Sequence, residues 1–496
     1  MARENEFYVI AGQRQLFLDD YGIERIEHLV RAMHQPDKKG AVIRPNFEKG
    51  ETLQQTWCAP AWDPEEKLFK LWVITTFSDW NGTAYAVSED GLHWTKPVLD
   101  QFEHNGSKEN NIIALEQEHE WPGNALMNAI YDPDEQDPSR RYKGFGFGNG
   151  RGREPMVSAD GVHWKRLDVP RIPSKDVSNM SYDSLTRTFI AALKTVGPRG
   201  RSVMLSTSKD FEHWTEPELI FHADDLDQEL GREHIARRFA DPTLQRPIYD
   251  IPETYNVDVY SMGIFRYEGL YVGLPSMYHQ TGKVSGDWPG IADWDVTPRQ
   301  LAMYREYGDW CGFHHVQLTC SRDLRHWERP GDRRPFIDSS PLGTGAYDLA
   351  CIIGPSFPVV RGDELWLYYM GLKRYGGPFP ASGVDRDQGA ICLAVLRRDG
   401  FISLDADDTE GALLTKPFEL TGGKLYANID AHKGELRVEA LDKDGKVLAV
   451  SSPLEGDMPR GEVQWRQGKL ADLQGHQVSF RFTLRNAKLY SYWLEK

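Results

Sequence analysis

Carboxylates recur at matching places along this chain. Counting back from the turns Asp183-Ser184, Tyr267-Glu268-Gly269 and Arg361-Gly362-Asp363 leads to three segments: Asp176-Val-Ser-Asn-Met180, Asp258-Val-Tyr-Ser-Met262 and Asp348-Leu-Ala-Cys-Ile352. Each opens on Asp and continues in small or apolar residues. Carboxylates that converge repel, which raises the pKa of one and leaves another ionised. A protonated and an ionised carboxyl flanking one bond are what cleavage of a glycosidic linkage requires. Asp176, Asp258 and Asp348 are therefore the catalytic candidates. An Asp at the head of a strand also serves as a turn residue bonded to its own backbone, and both readings stay open.

The equivalent positions in the first two repeats read Thr56-Trp57-Cys58 and Asn124-Ala-Leu-Met-Asn128, which adds Trp57 and Asn128 as substrate-binding candidates. His34, His279, Asn110 and Asn111 lie beside strands or loops and suit the fixing of hydroxyl groups. Glu233-His234 falls in a stretch, Glu229 to Phe239, that reads as helix. Glu233 can lean over a site from there or remain on the helix surface. The spacing of His, Cys, Asp and Glu matches no zinc or EF-hand pattern, so neither metal nor cofactor is expected.

These residues must be positioned by a repeat. Ser88-Glu-Asp90-Gly91-Leu-His93-Trp94 recurs as Ser158-Ala-Asp160-Gly161-Val-His163-Trp164. Looser copies run from Ser206 to Trp214 and from Ser321 to Trp327, and Arg398-Asp399-Gly400-Phe401 is a fifth without the Trp. In the first two copies the Asp-Gly pair supplies a tight turn, and the Trp can pack over it. The box histidines His93, His163, His213 and His326 recur with the Trp and are assigned to packing. Each box follows a short β-like run, and each has a strand–turn–strand unit upstream. Five such units predict a five-bladed β-propeller over residues 1–405. From residue 406 the pattern becomes alternating short strands with a hairpin signal at Asp442-Lys-Asp-Gly445, which predicts a β-sandwich over 406–496. The fold class is all-β. Two insertions, 221–257 and 275–312, are long enough to serve function.

Composition narrows the class. The 496 residues carry 58 Lys+Arg against 74 Asp+Glu, a net charge of −16, so a nucleic-acid partner is not expected. There is no apolar run of 18 residues, so no membrane partner is expected. The opening residues lack the apolar stretch of a secretory signal. A cytoplasmic protein, or one from which a leader has been removed, is expected. Five cysteines without a CxxC pair argue against a disulfide framework. Homo-oligomerisation is left open.

The repeats carry a resemblance. A five-bladed propeller followed by a sandwich resembles the furanosidase group of glycoside hydrolases, families 32, 43 and 68, and the boxes resemble those of sialidases. Leu16-Phe-Leu-Asp19-Asp20-Tyr21, His34-Gln-Pro, Gly106-Ser-Lys-Glu-Asn110-Asn111-Ile and Leu484-Arg-Asn-Ala-Lys-Leu-Tyr-Ser are similar to a bacterial group of family-32-like hydrolases. The resemblance spans nearly the whole chain and implies a glycosidase acting on a carbohydrate. It does not transfer roles residue by residue. Those families place a catalytic Asp in the first blade, where this chain has Thr56-Trp57-Cys58, and their Arg-Asp-Pro and Glu-Cys motifs are missing from blades 2 and 3. Asp19 and Asp20 are assigned to sealing the propeller. Two rivals remain: a phosphorylase, for which Arg199, Arg201 and Lys283 are candidate anion ligands, and a non-catalytic glycan-binding propeller.

Overall fold

The computed structural model describes residues 7–77, 80–115, 123–147, 152–378 and 387–496. The chain is nearly all β, and five antiparallel units follow one another. The first is built on Leu68–Thr76 and Asn81–Ser88, the second on Leu126–Tyr131, Tyr142–Phe147 and Arg153–Ser158. The third contains Lys175–Asp183, Thr188–Gly197, Gly200–Ser208 and Glu218–Phe221. The fourth contains Asn256–Tyr267, Leu270–Val284 and Asp309–Val316, and the fifth Cys351–Ile353, Glu364–Leu372 and Gly389–Arg397. The N-terminal strand Asp37–Ile43 pairs antiparallel with Gly389–Arg397, and Leu53 of the first unit pairs with Gly389. The two ends of the repeat array thus share one sheet. Thr56-Trp57-Cys58 lies between two short strands and not at the head of one.

One apolar cluster draws on every unit: Trp57 and Ile74, Met127, Val177, Cys351 and Met370, with Tyr260 and Tyr375 against it. Polar side chains lace the same region. Asn128 Nδ2 donates to the carbonyls of Trp57 (3.1 Å) and Ser178 (2.9 Å). Ser356 Oγ donates to the Trp57 carbonyl from the fifth unit, and Asn179 Nδ2 donates to Ser356.

Each of the four complete boxes repeats one set of bonds. The Asp carboxylate accepts the N–H groups two and three residues on, at 2.7–2.9 Å, and meets the His Nδ1 at 2.6–2.7 Å. The indole N–H of Trp94, Trp164, Trp214 and Trp327 donates to the carbonyl three residues earlier. Only Trp164 is fully buried, at 7% exposure; the other three are half-buried. The fifth copy has become an anchor. Asp399 is buried and accepts from Arg14 (2.6 Å), Tyr267 (2.7 Å) and Ser491 (2.5 Å), tying the fourth unit to both ends of the chain.

The C-terminal strands are joined through one long strand. They form one hydrogen-bonded, curled sheet, because the 18-residue strand Lys424–Leu441 slips register between Ala431 and Leu436 and pairs along both halves. A bulge of this kind bends a strand and raises its twist. The sheet also takes in Ile23–Glu27 and Val30–Met33, from well before residue 405, and the expected boundary falls inside strand Ile402–Ala406. Its core residues, such as Val438, Phe480 and Leu489, belong to the same apolar cluster as Val272 and Leu274 of the fourth unit.

Burial sets the order of the box mutants. Trp164→Ala is expected to cost about 3–5 kcal/mol as a core aromatic, and Trp94→Ala clearly less, as read by denaturant unfolding. The boxes also fix an acid limit. Backbone and His hydrogen bonds hold Asp90 below the ordinary carboxylate range; Asp160 falls to about 2, with the same bonds outweighing burial. Asp210 and Asp323 are depressed likewise. A depressed folded pKa gives stability that is present above the unfolded value, about 3.9, and is lost as pH falls towards the folded value. Melting temperature should therefore drop below about pH 4, and Asp160→Asn should make that drop shallower.

Candidate active site

Asp176 of the third unit and Asp258 of the fourth share two neighbouring cations, Lys194 and Arg201. Asp176 heads its strand at a positive φ of 35°, a strained setting that surrounding structure must hold. Buried Arg153 does so, donating to the Asp176 carbonyl and to Ser178 Oγ. The Asp176 side chain is 53% exposed, and its carboxylate lies 2.6 Å from Nζ of buried Lys194. That ammonium sits over the Tyr260 ring, 3.5 Å from its centroid.

Asp258 is the buried counterpart, its side chain 4% exposed. Its Oδ2 accepts the Arg201 backbone N–H (3.2 Å) and guanidinium (3.0 Å), while Oδ1 has no partner among the described residues. The turn that delivers Arg201 depends on Gly200, at φ 106°, where an added Cβ would stand 2.8 Å from Asp258 Oδ2. The Arg201 guanidinium lies 5.2 Å from the Tyr278 ring and 5.9 Å from that of Tyr260. Tyr278 stacks on His314 at 4.7 Å, and Tyr375 stands edge-on to both at 5.0 and 4.6 Å. Neither nitrogen of buried His314 has a partner among the described residues.

The two carboxyls are biased in opposite directions. Burial pushes Asp258 up, and Arg201 and Lys194 only partly offset it. Burial also acts to raise Asp176, but Lys194, Arg153 and Arg201 outweigh it and hold the group below its ordinary range. The split comes from burial set against cations, not from the mutual repulsion argued from sequence.

The other candidates go elsewhere. Asp348 does not join the pair: its carboxylate bonds Lys38 (2.7 Å) and Tyr369 (2.9 Å), because strand Asp37–Ile43 carries Lys38 onto the fifth unit. Asn128 spends its amide on the inter-unit bonds already described. Trp57 is buried in the central cluster, with an indole N–H that meets no acceptor among the described residues. His34 bonds Ser403 (2.6 Å) and packs on Tyr490 of the C-terminal sheet. His279 is buried on the fourth unit, stacked on Phe313. Glu233 is exposed on helix α1, Asp225–Ala240. Asp19 pairs with Arg322, and Asn110 and Asn111 bond neighbouring backbone. Of the proposed anion ligands, Arg201 is at the site, whereas Arg199 pairs with Asp225 and Lys283 faces Trp310.

Lys194, Tyr260, His314 and Tyr375 were not singled out from sequence. Lys194 had a signal, a lysine closing the apolar run Phe189-Ile-Ala-Ala-Leu193, and Tyr260 follows Asp258 by two residues.

No family model matches the chain, and no curated protein matches it. Similar solved structures include an N-acetylgalactosamine deacetylase from F. plautii, at 14% identity over 75% of this chain and 97% of that one, with a TM-score of 0.40. The catalytic domain of a Coprinopsis cinerea GH62 α-L-arabinofuranosidase is similar at 11% identity, 73% and 97% coverage, and a TM-score of 0.40. A Bombyx mori GH32 β-fructofuranosidase is similar at 9% identity, 93% and 94% coverage, and a TM-score of 0.37.

Gly200 is the most exacting position in this geometry. Gly200→Ala places a methyl group against Asp258 at a backbone angle that L-residues rarely adopt. A loss of about 1–3 kcal/mol in unfolding free energy is expected, together with loss of the Arg201–Asp258 contact in a crystal structure of the variant.

Proposed function

We propose that the protein is a glycoside hydrolase whose five units form a five-bladed propeller, with the Asp176–Asp258 pair as its acid/base centre. The observation that carries this reading is the opposite bias of two carboxyls that share Lys194 and Arg201 beside an aromatic wall. Asp258, raised by burial, supplies the proton to the departing glycosidic oxygen. Asp176, held ionised by Lys194, activates a water or attacks the anomeric carbon. Once Asp258 has given up its proton, Arg201 stabilises the carboxylate left behind. Tyr260, Tyr278 and Tyr375 offer ring faces for sugar C–H groups.

Replacing Asp258 with Asn keeps the shape and removes the proton, and hydrolysis of a glycoside panel is expected to fall roughly 10²–10⁴-fold with an unchanged melting temperature. Asp176→Asn should lose activity to a similar degree, with a lower melting temperature because buried Lys194 is left without its carboxylate. Full activity in both variants would exclude the pair. The pH profile follows from the two shifts. Activity should rise as pH climbs through the depressed pKa of Asp176, then fall as pH passes the raised pKa of Asp258. Lys194→Met removes a cation that lowers both carboxyls, and Asp176, to which it bonds directly, the more; the acid limb should move to higher pH, with a smaller shift of the alkaline limb in the same direction.

A second reading rests on Lys194 and Arg201 themselves, two cations placed where a phosphate could replace the attacking water. Assays with and without inorganic phosphate separate the two: sugar phosphate as product means phosphorolysis, free sugar alone means hydrolysis.

A further inference from the structure

The fourth unit has a second chemical face. In an antiparallel pair, residues directly opposite one another share a face, and the faces alternate along each strand. Asp258, Tyr278 and His314 are in register, which assigns them to the face of the acid/base pair. Val257, His279 and Phe313, and next Val259, Met277 and His315, are in register on the opposite face. Helix α1 packs there. Gly231 allows the close approach, since a Cβ at that position would stand 2.2 Å from Val257 and 3.7 Å from the His279 ring. Gln228 exchanges two hydrogen bonds with the Val257 backbone, at 2.7 and 2.9 Å. Arg329 grips Asp227 in the first turn at 2.6 and 2.7 Å, and Arg238 in the last turn donates to the Leu349 carbonyl.

The helix is thus fixed near both ends, and between them His234 meets the two strand histidines. Ring centroids lie 5.3 Å apart for His234–His279, 4.9 Å for His234–His315 and 4.5 Å for His279–His315. One ring nitrogen of each lies within 4.8 Å of the others. His279 and His315 are buried, at 2% and 1% exposure, and His234 is half-buried, which leaves the trio an opening past the helix. His279 Nδ1 is buried without a partner among the described residues. The His315 ring has one hydrogen-bond contact, a 3.3 Å approach by Gln317 Nε2, with Gln317 held in turn by Arg329.

We propose that His234, His279 and His315 bind one divalent transition-metal ion of the zinc class, with a fourth position open to water. Three imidazoles and no oxygen donor suit zinc and disfavour calcium or magnesium. Zinc–nitrogen bonds of about 2.0–2.1 Å place ligand atoms roughly 3.3 Å apart, so small ring rotations close the set around an ion. This ion lies on the face opposite Asp258 and clamps the inserted helix to the sheet.

The histidines come from three elements, which is why no short spacing marks them. The reading is independent of the proposed glycosidase activity and is tested without it. Tag-free full-length protein, stripped with chelator, is titrated with Zn²⁺ by calorimetry at neutral pH, with Ca²⁺ as the contrasting ion. One-to-one Zn²⁺ binding, a higher melting temperature with Zn²⁺ and no response to Ca²⁺ are expected. Co²⁺ substitution should give visible ligand-field absorption. His234→Ala changes a half-buried helix residue, so the fold should persist, as shown by an unchanged circular dichroism spectrum. Its Zn²⁺ affinity should fall by more than the roughly 10–100-fold that loss of an outer-shell partner brings. His315→Gln serves as the second ligand variant. Absence of stoichiometric Zn²⁺ binding in the wild type, or equal binding by wild type and both variants, overturns the proposal.

Discussion

The amide of Asn128 is the contact on which the arrangement turns. A buried primary amide must find partners for its donors and its acceptor, since leaving them unmet costs about 1–3 kcal/mol each. Asn128, in the second unit, finds them in the first and third: Nδ2 on the Trp57 and Ser178 carbonyls, Oδ1 on the Ser178 hydroxyl at 2.6 Å. Ser178 is also the acceptor of Arg153, the residue that holds the strained Asp176 backbone. One buried amide therefore runs, through two partners, to the backbone of the residue whose carboxylate is proposed to be ionised. The residue chosen from sequence as a sugar ligand acts upstream of that role, by fixing the strand heads from which the site is built.

The fourth unit presents two separate side-chain clusters on the two faces of a single sheet. Its two faces differ by one residue in register, and a one-residue step moves every side chain to the other side. His314 and His315 are consecutive, yet one stacks on Tyr278 beside Arg201 and the other meets His234 and His279. The long insertions that flank this unit follow from that division. The first supplies α1, which covers the histidine face. The second ends at Asp309–Val316, the strand that carries both histidines.

Local chemistry was legible in the sequence, and long-range pairing was not. The boxes were readable because each Asp bonds within three residues of itself, so spacing alone specifies the bonds. The strand repeats were readable for the same reason. Counting back from turns reached the strand starts that carry Asp176 and Asp258, since equivalent strands begin at equivalent places. The same count failed for Asp348, because Lys38 arrives from some 300 residues earlier and no local pattern announces it. The C-terminal sheet misled in a similar way: its strands were visible, but its recruitment of Ile23–Glu27 and Val30–Met33 was not. Degeneracy carried information as well. The fifth box lost its Trp, and its Asp399 became the buried anchor between Arg14, Tyr267 and Ser491.

The balance at Asp258 explains why an arginine stands beside a group proposed to donate a proton. Burying a lone carboxylate is costly by several kcal/mol, and unopposed burial drives its pKa up by as much as 3–5 units. At 1.36 kcal/mol per unit, such an acid would hold its proton too tightly to release it in turnover. Arg201 moderates the shift without cancelling it, because its side chain is 27% exposed and partly solvated. The unpartnered Oδ1 carries the remainder of the burial penalty and leaves one oxygen without a competing bond. Asp176 has the reverse arrangement: a half-exposed carboxylate against a buried ammonium, so that the cation, deprived of water, is the member that needs the pair. Each ion pair buries one partner and wets the other, with the buried member on opposite sides of the charge. On the proposed reading, that inversion is what would set one up as acid and the other as base.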